Sequence, residues 1–70
     1  MDTIGENVKR LRDALGLTQV ELAARVGVSQ SMIAMIERGK RIPSVHALVT
    51  LAQALEVSVD ALLGAAEDVS

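Results

Sequence analysis

The amino-acid sequence predicts an all-α fold in which five short helices surround one hydrophobic core. Half of the 70 residues are hydrophobic, but none is Phe, Tyr or Trp, so Leu, Val, Ile, Ala and Met must fill the interior. A composition rich in Leu and Ala favours helices over strands. The apolar residues also recur at helical spacing, between residues that favour helix ends. A chain of this length forms one domain, near the lower limit at which a single core is sufficient.

The first helix is indicated by apolar residues at positions i, i+4, i+7 and i+11. These residues are Ile4, Val8, Leu11 and Leu15. They share one side of a helix, which we expect to face the core. Asp2 or Thr3 can cap the start of this helix, and Gly16 is expected to end it, because glycine readily adopts the left-handed conformation that is common there.

The second and third helices have separate start signals. Thr18 begins the second helix, and Glu21 completes a capping box three residues later. Ser29 is the expected N-cap of the third helix, which ends at Gly39. The residues that these two helices are expected to bury are Leu22, Ala23, Val26, Ile33 and Ile36.

The fourth helix is expected to start at Pro43 and Ser44, and Ser58 caps a short fifth helix. The apolar, core-facing side of the fourth helix is expected to carry Val45, Leu48, Leu51 or Ala52, and Leu55, and the fifth helix contains Leu62 and Leu63. Residues 1–64 are therefore predicted to form the domain. Residues 65–70, with the sequence AAEDVS, are predicted to be a frayed acidic tail.

The short connection between the second and third helices predicts a sharp turn. Only about three residues separate the helices, too few for antiparallel packing, so the helices should cross at a wide angle. Gly27 supplies the positive φ that such a turn needs. Ala23 is small enough to let the helices approach each other, and Ile33 fills the angle between them.

Residues 4–64 resemble the Cro and lambda-repressor type of helix-turn-helix domain, the five-helix class of phage and bacterial repressors. The residues that carry the resemblance are the run LTQVELAARVGVSQSMIAMIERGKRIPS and the later run ALEVSVDALL. The resemblance implies that the second and third helices form a helix-turn-helix. It also implies that the third helix, residues 29–38, lies in the major groove of DNA.

The resemblance implies that four residues of the third helix read DNA bases. These residues are Gln30, Ser31, Ala34 and Met35. Glutamine offers a donor and an acceptor that match N6 and N7 of adenine, and serine can bind several base edges. Alanine and methionine can contact a thymine methyl group. The alternative for Gln30 and Ser31 is that they only satisfy an exposed helix start.

A second set of residues is expected to contact phosphate or to brace the reading residues. The resemblance implies such roles for Gln19, Arg38, Lys40 and Arg41. Ser44 and Thr18 are expected to add phosphate contacts, because they lie at the starts of the fourth and second helices. Phosphate contacts position a protein on DNA without reading its sequence. Gln19 resembles the family glutamine that contacts phosphate and braces the first glutamine of the third helix. For residues 38–41, a solvated basic loop without a role is the alternative.

Arg12 and Glu37 resemble an ion pair that joins the first helix to the end of the third. In this chain the pair would hold the recognition helix to the scaffold and would keep the carboxylate from repelling the DNA backbone. Two unrelated surface charges are the alternative.

The composition argues against an enzyme and against a cofactor or metal site. The chain has no cysteine and one histidine, so a zinc-thiolate site or a histidine cluster cannot form. Paired carboxylates, a nucleophile with its base and a glycine-rich phosphate loop are absent from the sequence. The first twenty residues are charged and contain two glycines, which fits neither a signal peptide nor a membrane span, so a cytoplasmic protein is expected.

The charge distribution is compatible with DNA despite a net charge of −2. Residues 1–41 contain all seven basic residues and five acidic ones, a net charge of +2. Residues 42–70 contain four acidic residues and no Lys or Arg, a net charge of −4. Such an asymmetry is consistent with one basic and one acidic face.

The sequence therefore predicts a sequence-specific regulator of transcription that binds double-stranded DNA. We expect a repressor that binds a palindromic operator as a homodimer, with Val59 and Leu62 at the dimer interface. The alternative is an antitoxin or co-regulator whose main partner is another protein, bound through the acidic C-terminal half. Affinity for DNA that falls steeply with salt would favour the first prediction.

Overall fold

A computed structural model of the protein describes residues 3–64. The described part of the chain contains five helices and no strand: α1 (Ile4–Ala14), α2 (Gln19–Val26), α3 (Gln30–Glu37), α4 (Val45–Ala54) and α5 (Val59–Leu63). Helix α1 packs against α3 and α5, α2 packs against α3 and α4, and α4 packs against α5. The predicted all-α fold of five short helices is confirmed. The predicted tail, residues 65–70, lies outside the described residues.

Each helix begins at a hydroxyl side chain that accepts a hydrogen bond from a backbone N–H three residues later. The five caps are Thr3, Thr18, Ser29, Ser44 and Ser58. Glu6 and Glu21 complete capping boxes with the two threonines. A cap of this kind stabilises a helix by about 1 kcal/mol, so these five residues fix where the short helices start. Asp2, the other candidate for the first cap, lies outside the described residues.

The core is aliphatic and receives residues from all five helices. Its buried members are Val8, Leu22, Ala23, Ile33, Ile36, Leu51, Ala52, Leu55 and Leu62. Partly buried apolar residues, among them Met32 and Val59, pack around this cluster. The core therefore holds α3 by its Ile33 and Ile36 side and leaves the opposite side of that helix to solvent.

The turn between α2 and α3 has the geometry that the sequence predicts. Gly27 adopts φ 85°, in the left-handed region. Its N–H donates to the carbonyl of Ala23 at 2.8 Å, and the N–H of Val28 donates to the same carbonyl at 3.0 Å. Ala23 is 3% exposed and Ile33 is fully buried where the two helices meet.

Helices α1 and α3 approach each other closely at Gly5. A Cβ atom at this position would overlap the carbonyl oxygen of Ile36 and lie 2.8 Å from that of Glu37. Glycine is therefore required here by space and not by backbone conformation. The sequence does not reveal this role, because a glycine near a helix start carries no local signal of what packs against it.

Asn7 joins α1 to α5 from inside the protein. Its side chain is fully buried, and its Nδ2 donates to the carbonyl of Leu62 at 2.9 Å. Its Oδ1 accepts from Nη2 of Arg10 at 3.1 Å. Both ends of the amide are thus satisfied, which makes burial of this polar group tolerable. Its position in the sequence, three residues after Ile4 on the core-facing side of the helix, is the signal that could have predicted its burial.

Three predictions about apolar residues are wrong. Leu62, expected at the dimer interface, is fully buried, because α5 is short and this residue faces the core between α1 and α4. Leu15 is 40% exposed, because α1 ends at Ala14 and Leu15 is its C-cap. Val45 is 78% exposed, because it occupies the first position of α4, one turn before the buried part of that helix.

Candidate nucleic-acid interface

The outward side of α3 carries the four residues that were predicted to read bases. Gln30 and Ser31 are exposed in the first turn, and Ala34 and Met35 are partly exposed one turn later. Residues at i, i+1, i+4 and i+5 lie on one side of a helix. The structure therefore places two polar side chains and then two apolar side chains along the same surface.

Beneath this surface, Arg12 of α1 and Glu37 of α3 form a bidentate ion pair. Nε of Arg12 donates to Oε2 of Glu37 at 2.7 Å, and Nη2 donates to Oε1 at 3.1 Å. The side chains are only 10% and 4% exposed, respectively. Two parallel hydrogen bonds between charged groups in a water-poor setting fix the orientation of both side chains. The pair is therefore buried, unlike the two unrelated surface charges of the alternative interpretation.

Gln19 connects this ion pair to the first residue of α3. Its Nε2 donates to Oε1 of Glu37 at 3.0 Å, and its Oε1 accepts from Nε2 of Gln30 at 3.2 Å. Arg12 also donates through Nη1 to the carbonyl of Leu17 at 2.8 Å, which holds the turn before α2. We call the residues Arg12, Gln19, Glu37 and Gln30 the relay.

From the sequence, Arg12 with Glu37 and Gln19 with Gln30 are expected as two separate pairs, and the hydrogen bond between Gln19 and Glu37 is not predicted. These two residues are 18 positions apart and belong to different helices. Only the crossing of α2 and α3 brings them together, so sequence spacing carries no signal of this contact.

The surroundings of Glu37 keep its carboxylate charged. Burial alone would raise the pKa of Glu37, but hydrogen bonds from Arg12 and Gln19 and the positive charges of Arg12 and Lys9 outweigh burial and lower it. The hydrogen bond to Glu37 raises the pKa of Arg12 in turn. Both members of the pair are therefore fully ionised at neutral pH.

The loop after α3 presents positive charge to solvent. Arg38, Lys40 and Arg41 are all exposed, and none of them forms an ion pair or side-chain hydrogen bond with another residue of the range 3–64. Gly39, with φ 76°, allows the chain to turn between them. Three hydrated cations within four positions form a surface that suits phosphate. We call Arg38, Lys40 and Arg41 the basic loop.

Thr18 and Ser44 lie at helix starts, where their hydroxyl oxygens already have partners. The Thr18 oxygen accepts from the N–H of Glu21 at 3.0 Å, and the Ser44 oxygen accepts from the N–H of Ala47 at 3.2 Å. A hydroxyl that accepts in this way keeps its own hydrogen for donation. Both residues can therefore cap a helix and still donate to a phosphate oxygen.

Neither a metal site nor a membrane span is found in the range 3–64. No group of three or more His, Asp or Glu side chains within this range is placed to hold a metal ion. None of the five helices is both long enough and apolar enough to cross a bilayer.

Two helices joined by a left-handed glycine, the second exposing a polar first turn, define a helix-turn-helix protein. A helix-turn-helix family model matches residues 8–62, and the chain belongs to this family. The family is a class of transcription regulators and not of enzymes.

Several known proteins are similar to the chain. An uncharacterised HTH-type transcriptional regulator of Sinorhizobium fredii is 53% identical over 55 residues, which are 79% of this chain and 71% of that relative. The immunity repressor protein of Bacillus phage phi105 is 40% identical over 62 residues, which are 89% of this chain and 43% of that repressor. The crystal structure of the P22 c2 repressor in complex with a synthetic operator has a TM-score of 0.86 and 35% identity, and the alignment covers 90% of this chain and 96% of that one.

Proposed function

We propose that the protein is a repressor of transcription that binds a specific double-stranded DNA site with α3 in the major groove. The observation that carries the proposal is the exposed polar start of α3, held in place by buried charges beneath it. The solved P22 c2 repressor, similar in fold over most of this chain, is bound to operator DNA, which supports this function. A cytoplasmic location belongs to the proposal, because a regulator must be where the DNA is.

Base reading is assigned to Gln30, Ser31, Ala34 and Met35. Gln30 offers an amide to a base edge, and Ser31 beside it offers a hydroxyl group. Ala34 and Met35 offer apolar surface of the kind that contacts thymine methyl groups. The recognition helix would therefore favour DNA sites in which a base that binds the polar groups of the first turn is followed by a thymine methyl group at the second turn.

Phosphate binding is assigned to Thr18, Ser44 and the basic loop, with Gln19 as the brace of Gln30. The cations of the basic loop attract DNA without regard to its sequence. The two hydroxyl groups add short directional bonds from fixed helix ends. Together they would set the position and angle at which α3 enters the groove.

A homodimer on a palindromic site is the proposed assembly. One short recognition helix makes few base contacts, while a genome offers a great excess of competing sites. Two copies related by a two-fold axis double the contacts and place the half-sites about 34 Å apart. Because Leu62 is in the core, the available apolar surface of α5 is Leu63, which is 41% exposed, beside the partly buried Val59.

The Gln30→Ala variant tests base reading. We expect it to lose about 1–3 kcal/mol of binding free energy on the preferred site and to relax selectivity at one base pair in each half-site. Binding to unrelated DNA should stay nearly unchanged, because phosphate contacts remain. Fluorescence anisotropy titrations on both DNAs measure the two quantities. Equal losses on both DNAs would show that Gln30 does not read a base.

A further inference from the structure

The relay has a chemical direction. A carboxylate only accepts hydrogen bonds, so Gln19 must turn its NH₂ group, and not its oxygen, towards Glu37. The oxygen of Gln19 is then left to face Gln30, which must donate to it through Nε2. An amide can otherwise rotate by a half-turn at little cost. Here the orientation of both amides is set by the charge at the buried end.

The buried end is itself firmly held. Glu37 receives two hydrogen bonds from Arg12 and one from Gln19, and its side chain is 4% exposed. It cannot donate in its ionised state, and its surroundings keep it ionised. The direction of the relay therefore does not reverse at neutral pH.

We propose that Glu37 is a positioning residue that determines base specificity through Gln19 and Gln30. This inference rests on the proposed function, because it requires that Gln30 reads a base. With one Nε2 hydrogen committed to Gln19, Gln30 keeps one donor hydrogen and its acceptor oxygen for DNA. That pair matches N7 and N6 of adenine, whereas guanine presents two acceptors, N7 and O6.

The Glu37→Gln variant removes the charge that sets the direction of the relay. Both carboxylate oxygens of Glu37 accept from Arg12, and Oε1 also accepts from Gln19, so the new amide has two orientations, each with its NH₂ group near one donor of Arg12. In the orientation that keeps the oxygen towards Nε of Arg12, the NH₂ group faces Gln19. Gln19 then turns its oxygen inward and its NH₂ group towards Gln30. Gln30 accepts from Gln19 and presents both hydrogens of its own NH₂ group to DNA. That arrangement suits the two acceptors of guanine.

The test compares operators that differ only at the base pair where Gln30→Ala relaxes selectivity. We expect Glu37→Gln to lower the ratio of affinities for adenine over guanine severalfold, because one of the two orientations of the new amide reverses the relay. A residue with only a structural role would weaken binding to both DNAs alike and leave the ratio unchanged. An unchanged ratio would overturn the inference. If the wild-type protein binds no DNA at all, the proposed function itself is overturned.

A compensating variant makes the test independent of folding losses. Adding Gln19→Glu to Glu37→Gln puts the carboxylate one step nearer to DNA, where it again accepts from Gln30. We expect the double variant to recover the preference for adenine, although the exposed negative charge lowers affinity for every DNA. Failure to recover it, in a protein that circular dichroism shows to be folded, would also contradict the inference.

The Gln30→Ala background provides the matched control. There Glu37→Gln should leave the ratio of adenine to guanine affinity unchanged, because the group that transmits the effect is gone. A change that persists without Gln30 would show that Glu37 acts by another route.

If Glu37→Gln does not fold, Gln19→Met breaks the relay at its partly exposed member. It should lower the ratio without favouring guanine, and an unchanged ratio would count against the inference.

Discussion

The relay and the basic loop meet at the end of α3, and they use charge in opposite ways. In the relay, Arg12 and Glu37 are nearly excluded from water and bind each other through two hydrogen bonds. In the basic loop, which starts one residue later, three cations are exposed and have no protein partner in the described range. The buried charges fix the orientation of their own side chains, whereas the exposed charges remain available to bind a partner.

The two regions should therefore control different properties of the protein. A buried ion pair that loses one partner leaves an unpaired charge, so changes there should affect folding and the placement of α3. Removing an exposed cation changes the free energy of unfolding little, because water solvates that cation in both the folded and the unfolded state. Changes in the basic loop should therefore affect affinity for DNA alone.

The largest expected effect comes from Arg12→Ala. It leaves the Glu37 carboxylate buried without its cation, and we expect a loss of about 4 kcal/mol in the free energy of unfolding. Urea denaturation followed by circular dichroism measures it. Arg25→Ala is the control, because Arg25 is exposed on α2 and its removal should change stability by less than about 0.5 kcal/mol. Equal stabilities of the two variants would show that the buried pair contributes nothing.

A second effect concerns the contact that brings α1 and α3 within reach of each other. Gly5→Ala places a methyl group against the carbonyls of Ile36 and Glu37, and we expect a net loss of about 2 kcal/mol despite the better helix propensity of alanine. Gly39→Ala is the comparison. It meets no atom within 4 Å but has φ 76°, so it should lose about 1 kcal/mol through backbone conformation alone. If Gly39→Ala lowers the unfolding temperature more than Gly5→Ala does, the close packing of α1 against α3 at Gly5 is contradicted.

A smaller effect should appear on acidification. The pKa of Glu37 is lower in the folded state than in the unfolded state, so the unfolded state binds the proton first as the pH falls. The stability from this group is present above the ordinary glutamate pKa and is lost as the pH falls through the folded value. Glu37→Gln should therefore show a shallower loss of stability between neutral and acid pH than the wild type. If stability falls equally with pH in the variant and the wild type, the partners of Glu37 do not lower its pKa in the folded state.

The smallest effect on folding is expected from Lys40→Ala. Stability should change by less than about 0.5 kcal/mol. Affinity should fall for all DNA sequences alike, and the slope of log affinity against log salt should decrease by about one unit. Titrations at several salt concentrations measure this slope. A slope equal to that of the wild type would remove Lys40 from the phosphate surface.

Local signals in the sequence predicted the helices, and tertiary packing decided the rest. Thr18, Ser29 and Gly27 act through neighbours within about four positions, so spacing alone revealed their roles. Leu62 and Leu63 look alike in sequence, and only the angle at which α5 docks separates the buried residue from the exposed one. The contact between Gln19 and Glu37 likewise depends on how two helices cross.

Selection of bound sites from random DNA tests whether two copies of the protein read a palindrome, because it reports sequence preference, symmetry and spacing together. We expect an enriched palindrome whose half-sites are centred about 34 Å apart, with adenine at the base pair where Gln30→Ala relaxes selectivity. Recovery of no preferred sequence, or of a site without two-fold symmetry bound by a single copy at full affinity, would contradict this expectation.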